Sequence, residues 1–371
     1  MPKEFHITII YLNIFFYLYI MHKPLVAFYM GYSEGFNGQN YNSKNVFGSE
    51  ISALKLAEAL TDIYDVYIFV NINEEDEIKY NDVIYLNLFK INTFPKFDIM
   101  IVVRYINYFI YFKNNAHKTF IWIHDTIINP AYNGLLIEKT ASSLIYNLQS
   151  HINGLICLSE WHIKNVYNTL ETRIFPIHLI ENSLDFKYYK PNIPIIKNSF
   201  IYMSHPDRGL TILLDCLLYI QQFIPDISLT VFRSHEFTDD IQNKLSKLNN
   251  TIVYEKESQE KIANACLQTE YFFYPTNFME TFCCCATEAQ LYHCVCIYNN
   301  IGGLSSTISD RGLAINYDIN DINYIEETCN VVMKLMKNDE EKKKYLIKGY
   351  EWVEKLHINN IKNKWLCLFN N

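Results

Sequence analysis

The sequence predicts an α/β protein built from two doubly wound domains in tandem. Its 371 residues exceed what one hydrophobic core usually supports. From residue 23 onward, short runs rich in Val, Ile, Phe and Tyr alternate with helical patterns, as in parallel sheets whose strands are joined by crossover helices. The alternation breaks near Pro191 and Pro194 and then restarts, which indicates a linker between two similar domains.

Six strands are predicted in the first half of the chain, which we assign to an N-terminal domain at residues 23–190. Their sequences are LVAFYMG, VYIFVN, VIYLNL, FDIMIVV, TFIWIH and GLICLS. The first long helix should follow FGSE, because apolar residues recur there at the spacing of one helical face. These residues are Ala53, Leu56, Ala57 and Leu60.

The second half predicts a C-terminal domain at residues 191–345. Its strands are SFIYMS, SLTVFR, TIVYE, YFFYP and CVCIYN. Helical segments containing Trp352 and Trp365 close the chain, and we expect residues 346–371 to pack back on the N-terminal domain. Ligands of such sheets bind at the carboxyl ends of the strands, so functional residues should directly follow the strands.

Residues 1–22 form an apolar extension whose role stays open. The run FHITIIYLNIFFYLYI is short of the roughly 20 residues of a membrane span, and it has no small-residue cleavage site typical of a secretory signal. An extra segment, a loose membrane anchor and an additional packed helix are all compatible with it, and the chain could start at Met21. We therefore expect a cytoplasmic protein, with peripheral membrane association as an alternative.

Charge and cysteine content exclude several classes of protein. A net charge of −8 argues against a nucleic-acid-binding protein, which needs clustered Lys and Arg to contact phosphates. Ten cysteines are too few for a disulfide scaffold, and most lie in apolar segments, so we expect reduced, buried thiols. Richness in Asn, Ile, Tyr and Lys suggests an AT-rich genome, such as that of a virus or protist.

The stretch NFMETFCCCATEAQLYHC, residues 277–294, reads as a loop that leaves a strand and enters a helix. We expect the helix to begin at Thr281, so that the N–H groups of Thr281, Phe282 and Cys283 lack helical acceptors. These groups lie at the positive end of the helix dipole, where anions bind. The pattern therefore predicts a diphosphate site.

Two glutamates flank the predicted diphosphate site. Glu288, about two turns along the helix, could accept hydrogen bonds from both ribose hydroxyls, whereas Glu280 reaches the opposite side, toward a sugar. The spacing alone favours a simpler alternative, in which Glu280 complements the helix dipole and Glu288 is a solvated surface residue.

A metal site in this stretch is not expected. Consecutive cysteines on a helix point in different directions, and there is no Cys-x-x-Cys pair with a distant partner. The residues that such a site would use are Cys283, Cys284, Cys285, His293, Cys294 and Cys296.

The longer stretch PTNFMETFCCCATEAQLYHCVCIYNNIGGL resembles the nucleotide-sugar signature of the retaining glycosyltransferases of family 4. The resemblance covers most of residues 23–370 in element order. It implies the GT-B fold, in which two Rossmann-like domains face each other across a cleft. It also implies transfer of a hexose, with retention, from a nucleoside diphosphate sugar to a glycan, lipid or protein acceptor, without a cofactor or metal.

Other segments match the family at single residues. Gly48, in NVFGSEISALKLAEAL, has the place of a glycine that lets the backbone approach the donor, and His124, in IWIHD, that of a histidine beside the transferred sugar. Asn182, in IENSLD, matches an asparagine before the linker. Arg208, in YMSHPDRGL, has the place of a lysine that contacts the diphosphate.

The resemblance and the helix argument together give two sets of candidate residues. The catalytic candidates are Glu280, His124 and Arg208. The candidates for donor binding are Gly48, Ser204, Arg208, Lys256, Glu280, Thr281, Phe282, Cys283 and Glu288.

The chain also departs from the family. A second cation often lies five residues before the lysine, and that position is Met203 here. Arg104 or Lys256 could supply the missing charge. His293 and Val295 replace the usual Gly and Pro before the following strand, which affects the local turn more than the chemistry.

Structural alternatives exist for the single residues. His124 could be a structural hydrogen-bonding group, Gly48 a simple turn residue, and Arg208 a surface charge. Gly302 and Gly303 fit both a tight turn and a close approach to bound sugar.

Competing functions are of two kinds. The chain does not resemble a kinase or a dehydrogenase. It has no glycine-rich phosphate-binding loop, and its segment GYSEGFNG lacks the glycine spacing of a dinucleotide-binding motif. A catalytically weakened module that binds a sugar nucleotide or a glycan is the alternative to the transferase, and a sugar epimerase or phosphorylase is a further one.

Overall fold

A computed structural model describes residues 23–31, 33, 35–41, 46–128, 151–170, 175–233, 235–255 and 257–370. The expectations for the apolar extension at residues 1–22 and for Lys256 lie outside these ranges. None of the helices in the described ranges combines the length and hydrophobicity that a membrane crossing needs.

The first sheet has eight strands. They are β1 Leu25–Tyr29, β2 Asp65–Val70, β3 Glu77–Tyr80, β4 Val83–Asn87, β5 Phe97–Val103, β6 Ala116–Trp122, β7 Gly154–Cys157 and β8 Ile177–Leu179. Their order is β3-β4-β2-β1-β5-β6-β7-β8. β3 is antiparallel to β4, whereas β1 pairs in parallel with β2 and β5. Without β3, the order from β4 to β7 is the 3-2-1-4-5-6 order of a doubly wound sheet.

The second sheet has six strands. They are β9 Ile196–Tyr202, β10 Ser228–Phe232, β11 Thr251–Tyr254, β12 Thr269–Tyr274, β13 Val295–Asn299 and β14 Gly312–Ile315. Their order is β11-β10-β9-β12-β13-β14, and neighbouring strands pair in parallel. This is again the 3-2-1-4-5-6 order, so the predicted fold class, two doubly wound α/β sheets, is confirmed.

Helices connect the strands and close the chain. They are α1 Gly48–Leu60, α2 Tyr108–Tyr111, α3 Glu160–Leu170, α4 Leu210–Gln221, α5 Asp239–Leu245, α6 Gln259–Cys266, α7 Cys284–Leu291, α8 Leu304–Thr307, α9 Tyr324–Met336, α10 Asp339–Val353 and α11 Ile358–Asn370. Ala53, Leu56, Ala57 and Leu60, the predicted apolar face of α1, are all buried. Trp352 lies in α10 and Trp365 in α11.

Every strand that the sequence predicted is present, but β3, β8 and β14 were not predicted. The sequence of β3 is EIKY, and three of its four residues are exposed, so it has no apolar alternation. β8 has three residues and β14 four. Segments this short have too few residues for a period-2 pattern to be visible.

The chain divides into two compact units. The first unit comprises Met1–Trp122 and Asn129–Leu155, and the second comprises Ile123–Ile128 and Ile156–Asn371. The second sheet lies wholly within the second unit.

The second unit includes residues 156–190, which the sequence analysis assigned to the N-terminal domain. Leu184 N–H donates to Leu356 O at 2.9 Å, and Lys364 pairs with Glu181. These contacts attach the segment before the linker to the C-terminal helices. The packing of residues 346–371 on the N-terminal domain stays a prediction.

The turn between α7 and β13 shows how the chain accommodates His293 at a position where the sequence resemblance implies glycine. The φ of His293 is +62°, in the left-handed region that a glycine would adopt without strain. Its ring stacks on Tyr350, and its Nε2 lies 2.9 Å from the Tyr189 hydroxyl. Ring contacts with Tyr350 and Tyr189 thus hold the ring of this residue in its left-handed backbone conformation.

Candidate active site

The site lies at the switch point of the second sheet. β9 and β12 are neighbours in the sheet, but the connections that leave them run toward opposite edges, which opens a crevice at their carboxyl ends. The loop after β9 carries Ser204 and Arg208, and the loop after β12 carries Glu280. The topology therefore brings together three predicted residues from two distant segments.

A chain of hydrogen bonds joins these loops. Tyr274, the last residue of β12, donates its hydroxyl hydrogen to Glu280 Oε1 at 2.9 Å. Arg208 Nη1 donates to the same oxygen at 3.1 Å. Because Tyr274 has one proton to give, Ser204 Oγ must donate to the Tyr274 oxygen, which lies 3.0 Å away. The order Ser204, Tyr274, Glu280, Arg208 thus describes one continuous network.

The network places a buried carboxylate beside a partly exposed cation. Glu280 is 7% exposed, whereas the Arg208 side chain is 38% exposed. Burial raises the pKa of the Glu280 carboxyl, and the Arg208 charge and the Tyr274 hydroxyl act in the opposite direction. Burial also raises the pKa of Tyr274, so its hydroxyl stays protonated as a donor.

Arg208 has a second partner that the sequence analysis missed. The guanidinium carbon lies 4.1 Å from the centroid of the Phe278 ring, within the range of a cation–π contact. Tyr274 was also missed, since it appeared only as the end of the buried strand YFFYP. Its position at the carboxyl end of a central strand is the signal that could have identified it.

Gly302 and Gly303 allow a close approach between two backbones. Gly303 N–H donates to Glu280 O at 2.6 Å. A Cβ at Gly303 would overlap the carbonyl oxygen of Thr281, and Gly302 has a left-handed φ of +54°. The glycines thus hold the loop that carries Glu280, and their predicted contact with bound sugar stays a prediction.

Helix α7 begins at Cys284, so the expected start at Thr281 is wrong. Thr281 Oγ1 donates to His124 O at 2.8 Å, and Thr281 O accepts from Ser159 Oγ at 2.7 Å. These bonds to distant residues keep Thr281 out of the helix. The first helical N–H groups are therefore those of Cys284 and Cys285, while Cys283 is the N-cap.

The donor-binding assignments in this segment change accordingly. Thr281 and Phe282 precede the helix and do not present its first N–H groups, although both side chains are buried beside it. Cys283 keeps its place at the cap. Binding of a phosphate by the start of α7 stays a prediction, with the N–H groups shifted by three residues.

The backbone around His124 is fixed from two sides. Thr281 donates a hydrogen bond to the His124 carbonyl, and the His162 ring contacts the carbonyl of Asp125. Burial lowers the pKa of His162 to about 4, so the ring is neutral. Leu158 N–H donates to its Nδ1 at 3.2 Å, which leaves Nε2–H to donate to Asp125 O at 3.0 Å. The role of the His124 side chain stays a prediction. Ser159 and His162, whose hydrogen bonds fix the backbone of Thr281 and Asp125, were missed by the sequence analysis.

Glu288 lies along α7 in a half-buried position. Burial raises the pKa of its carboxyl to about 7, and the charge of Asp185 adds to the shift. Such a carboxyl is unlike a solvated surface residue. Asn182, 3% exposed, donates from Nδ2 to Cys284 Sγ at 3.6 Å, so it lies against the first turn of the same helix.

Glu288→Gln is expected to stabilise the protein at pH 8 and to have a much smaller effect at pH 5. The folded-state pKa of about 7 exceeds the ordinary 4.5, so the wild type loses stability as the pH rises from 4.5 to 7. Because the carboxyl is partly accessible, we expect a gain of about 2 kcal/mol in the free energy of unfolding at pH 8. Urea unfolding at both pH values measures it.

The exposed Glu351 in α10 provides the matched control for that measurement. Glu351→Gln should change the stability by less than about 0.5 kcal/mol at either pH. An equal gain at pH 5 and pH 8 for Glu288→Gln would show that the effect does not come from ionisation of this carboxyl.

The cysteines at the start of α7 are protonated thiols. Burial raises the pKa of Cys284 to about 12 and those of Cys283 and Cys285 well above the ordinary value. Within the described ranges, no group of three or more His, Cys, Asp or Glu side chains is arranged to hold a metal ion. Met203 packs its sulfur against Cys266 Sγ at 3.1 Å.

Gly48 and Arg104 belong to the first unit, not to the network around Arg208. Gly48 is the first residue of α1, and Glu50 in the same turn accepts from Phe47 N–H at 3.3 Å and Ser49 Oγ at 2.8 Å. This helix end thus already has an acidic cap. Arg104 follows β5 with a φ of +66°. The donor role of Gly48, and that of Arg104 as a substitute cation, stay predictions.

Comparison with known proteins gives structural matches only. No protein-family model matches the sequence, and no curated protein matches it. The sucrose-phosphate synthase of Thermosynechococcus elongatus matches with a TM-score of 0.72 at 14% identity, covering 94% of this chain and 98% of that chain. Anabaena HepE, solved with UDP-glucose, matches with a TM-score of 0.66 at 12% identity, covering 94% of this chain and 100% of that chain.

S. aureus TarM, solved in complex with UDP, matches with a TM-score of 0.58 at 19% identity over 74% of this chain. This chain spans only 55% of the length of TarM. Identities this low establish similarity of fold rather than of activity. The order of the strands and these matches together show a fold with two doubly wound, parallel-sheet α/β parts, similar to that of these solved structures.

Proposed function

We propose that this chain is a retaining glycosyltransferase that moves a hexose from a nucleoside diphosphate sugar to a glycan, lipid or protein acceptor. The observation that carries the proposal is the Arg208–Glu280 pair at the switch point between β9 and β12. A cation for phosphate and a carboxylate for sugar hydroxyls lie side by side where doubly wound sheets bind ligands.

The chemistry needs stabilisation of a leaving diphosphate. In the described part of the chain, Nη1 of the Arg208 guanidinium donates to Glu280, and no other described residue accepts a hydrogen bond from this guanidinium. Its remaining N–H groups and the first N–H groups of α7 would stabilise the negative charge that develops on the phosphate. No metal is assigned to this step, because fixed positive groups would carry the charge.

Three further side chains, those of Glu280, His124 and Glu288, would contact the sugar and the ribose of the sugar nucleotide. Oε1 of Glu280 accepts from Arg208 and Tyr274, so Oε2 is the oxygen that would accept from sugar hydroxyls. His124 would contact the transferred sugar and Glu288 the ribose. Fixed groups of this kind lower the barrier by positioning the reactants before the reaction.

A thermal-shift panel of nucleoside diphosphates and their sugars tests the proposal. UDP and UDP-glucose come first, because TarM and HepE were solved with UDP or UDP-glucose. A ligand at about 100 times its Kd should add about 2.7 kcal/mol to the free energy of unfolding, which raises the Tm. The nucleoside without phosphates serves as control and should shift the Tm far less.

Turnover measurements then decide between the enzyme and the alternative module. Hydrolysis or transfer from the donor that shifts the Tm is the expected result. Binding of that donor without any turnover would instead indicate a sugar-nucleotide-binding module. Absence of a Tm shift with every nucleoside diphosphate and sugar nucleotide would overturn the proposal.

A further inference from the structure

Phe278 is a large apolar residue that the fold does not bury. It lies in the loop between β12 and α7 and is 42% exposed. Its backbone is fixed, since Phe278 N–H donates to Thr276 Oγ1 at 3.0 Å and Phe278 O accepts from Glu280 N–H at 3.0 Å. Thr276 itself is fully buried. The loop therefore holds an aromatic ring at the surface of the site.

The ring is placed on the guanidinium of Arg208. The distance of 4.1 Å from the guanidinium carbon to the ring centroid puts the cation over the aromatic ring. Glu280 contacts the same group through Nη1 at 3.1 Å. The Arg208 guanidinium thus has two partners. Glu280 accepts a hydrogen bond from it, and the Phe278 ring makes a cation–π contact with it.

These two contacts leave the rest of the guanidinium available. A ring over the cation uses no N–H group, and Glu280 uses one of the five. An arginine side chain otherwise loses conformational freedom when a ligand orders it, and this loss weakens binding. A contact that orders Arg208 in advance reduces that cost and so tightens binding of an anion.

We propose that Phe278 is a positioning residue that orients Arg208 for the phosphates of the nucleotide, and that this site therefore requires arginine rather than lysine. The inference rests on the proposed function. Lysine would keep the positive charge, but it lacks the planar group that stacks on a ring and the fork of N–H donors that fits phosphate. Because residue 208 contacts the ring of Phe278, Arg208→Lys should weaken phosphate binding even though it keeps the positive charge.

A double-mutant cycle with UDP as the ligand tests this. Phe278→Leu is expected to weaken UDP binding about two- to fivefold, the effect of an exposed cation–π contact. In the Arg208→Lys background, the same substitution should have little further effect, because the planar partner of the ring is gone. Phe278→Tyr, which retains an aromatic ring, should bind UDP as the wild type does. Isothermal titration calorimetry gives the four Kd values of the cycle and that of Phe278→Tyr.

Two controls separate orientation of Arg208 from a general role of the loop. Phe223→Leu removes another exposed phenylalanine, which follows α4 and is 60% exposed, and it should leave the Kd for UDP unchanged. Uridine, which has no phosphates, should have the same Kd for Phe278→Leu as for the wild type.

The outcomes distinguish this inference from the proposed function. Equal penalties for Phe278→Leu in both backgrounds, or an equal loss of uridine and UDP binding, would overturn the role of the ring while UDP binding by the wild type stands. Failure of the wild type to bind UDP or any other nucleoside diphosphate would overturn the proposed function, and the inference with it.

Discussion

Arg208→Ala is expected to lower kcat/KM for sugar transfer by about 10²- to 10³-fold, the usual effect of removing a group that stabilises developing negative charge. The substitution removes the cation that the structure places beside Glu280, at the switch point of the second sheet. The loss should appear in kcat as well as in donor affinity, because the charge on the leaving phosphate grows in the transition state. Steady-state kinetics with a varied donor concentration measures both.

Stability has to be separated from catalysis in that variant. Removal of Arg208 leaves the Glu280 carboxylate buried without its ionic partner, so some loss of stability is also expected. Arg311→Ala is the matched control, since the guanidinium carbon of Arg311 also lies over an aromatic ring, 4.2 Å from the centroid of Trp352. It should destabilise the protein but leave kcat/KM of the folded fraction nearly unchanged. A similar rate loss in both variants would contradict a catalytic role for Arg208.

Glu280→Gln is expected to lower kcat about 10- to 100-fold, because hydrogen bonds to a charged group are worth about 1.5–3 kcal/mol. The amide keeps the shape of the side chain but weakens its interaction with sugar hydroxyls. The affinity for UDP should rise, by about 1 kcal/mol or less, because a negative charge beside the diphosphate and the competing partner of Arg208 are both removed. We therefore expect a lower kcat in steady-state kinetics and a lower Kd for UDP in calorimetry.

Glu270→Gln is the control for that second variant. Glu270 lies near the amino end of the same strand, β12, and forms a comparable ion pair with Lys342 at 2.8 Å. Its substitution should lower stability without a change in UDP affinity. If Glu280→Gln weakened UDP binding and turnover together, the carboxylate would be holding the loop in place rather than contacting the sugar.

The sequence was sufficient for eleven of the strands and for the placement of Ser204, Arg208 and Glu280 in the loops after β9 and β12. Runs of β-branched and aromatic residues predicted every long strand, because strands buried on both faces are apolar along their whole length. Arg208 and Glu280 could be predicted because each lies in the loop after a strand, within a short motif that resembles a known family. Short-range patterns of this kind need no knowledge of how distant segments meet.

The start of α7 and the partners of Arg208 were decided only by the tertiary structure. Thr281 is held out of the helix by His124 and Ser159, which are 157 and 122 residues away in sequence. Arg208 and Glu280 are 72 residues apart. Contacts over such separations depend on the order of strands in the sheet, and their hydrogen bonds outweigh the local preference that predicted a longer helix. The sequence by itself therefore determined the two sheets and the segments of the site, and the strand order brought those segments together.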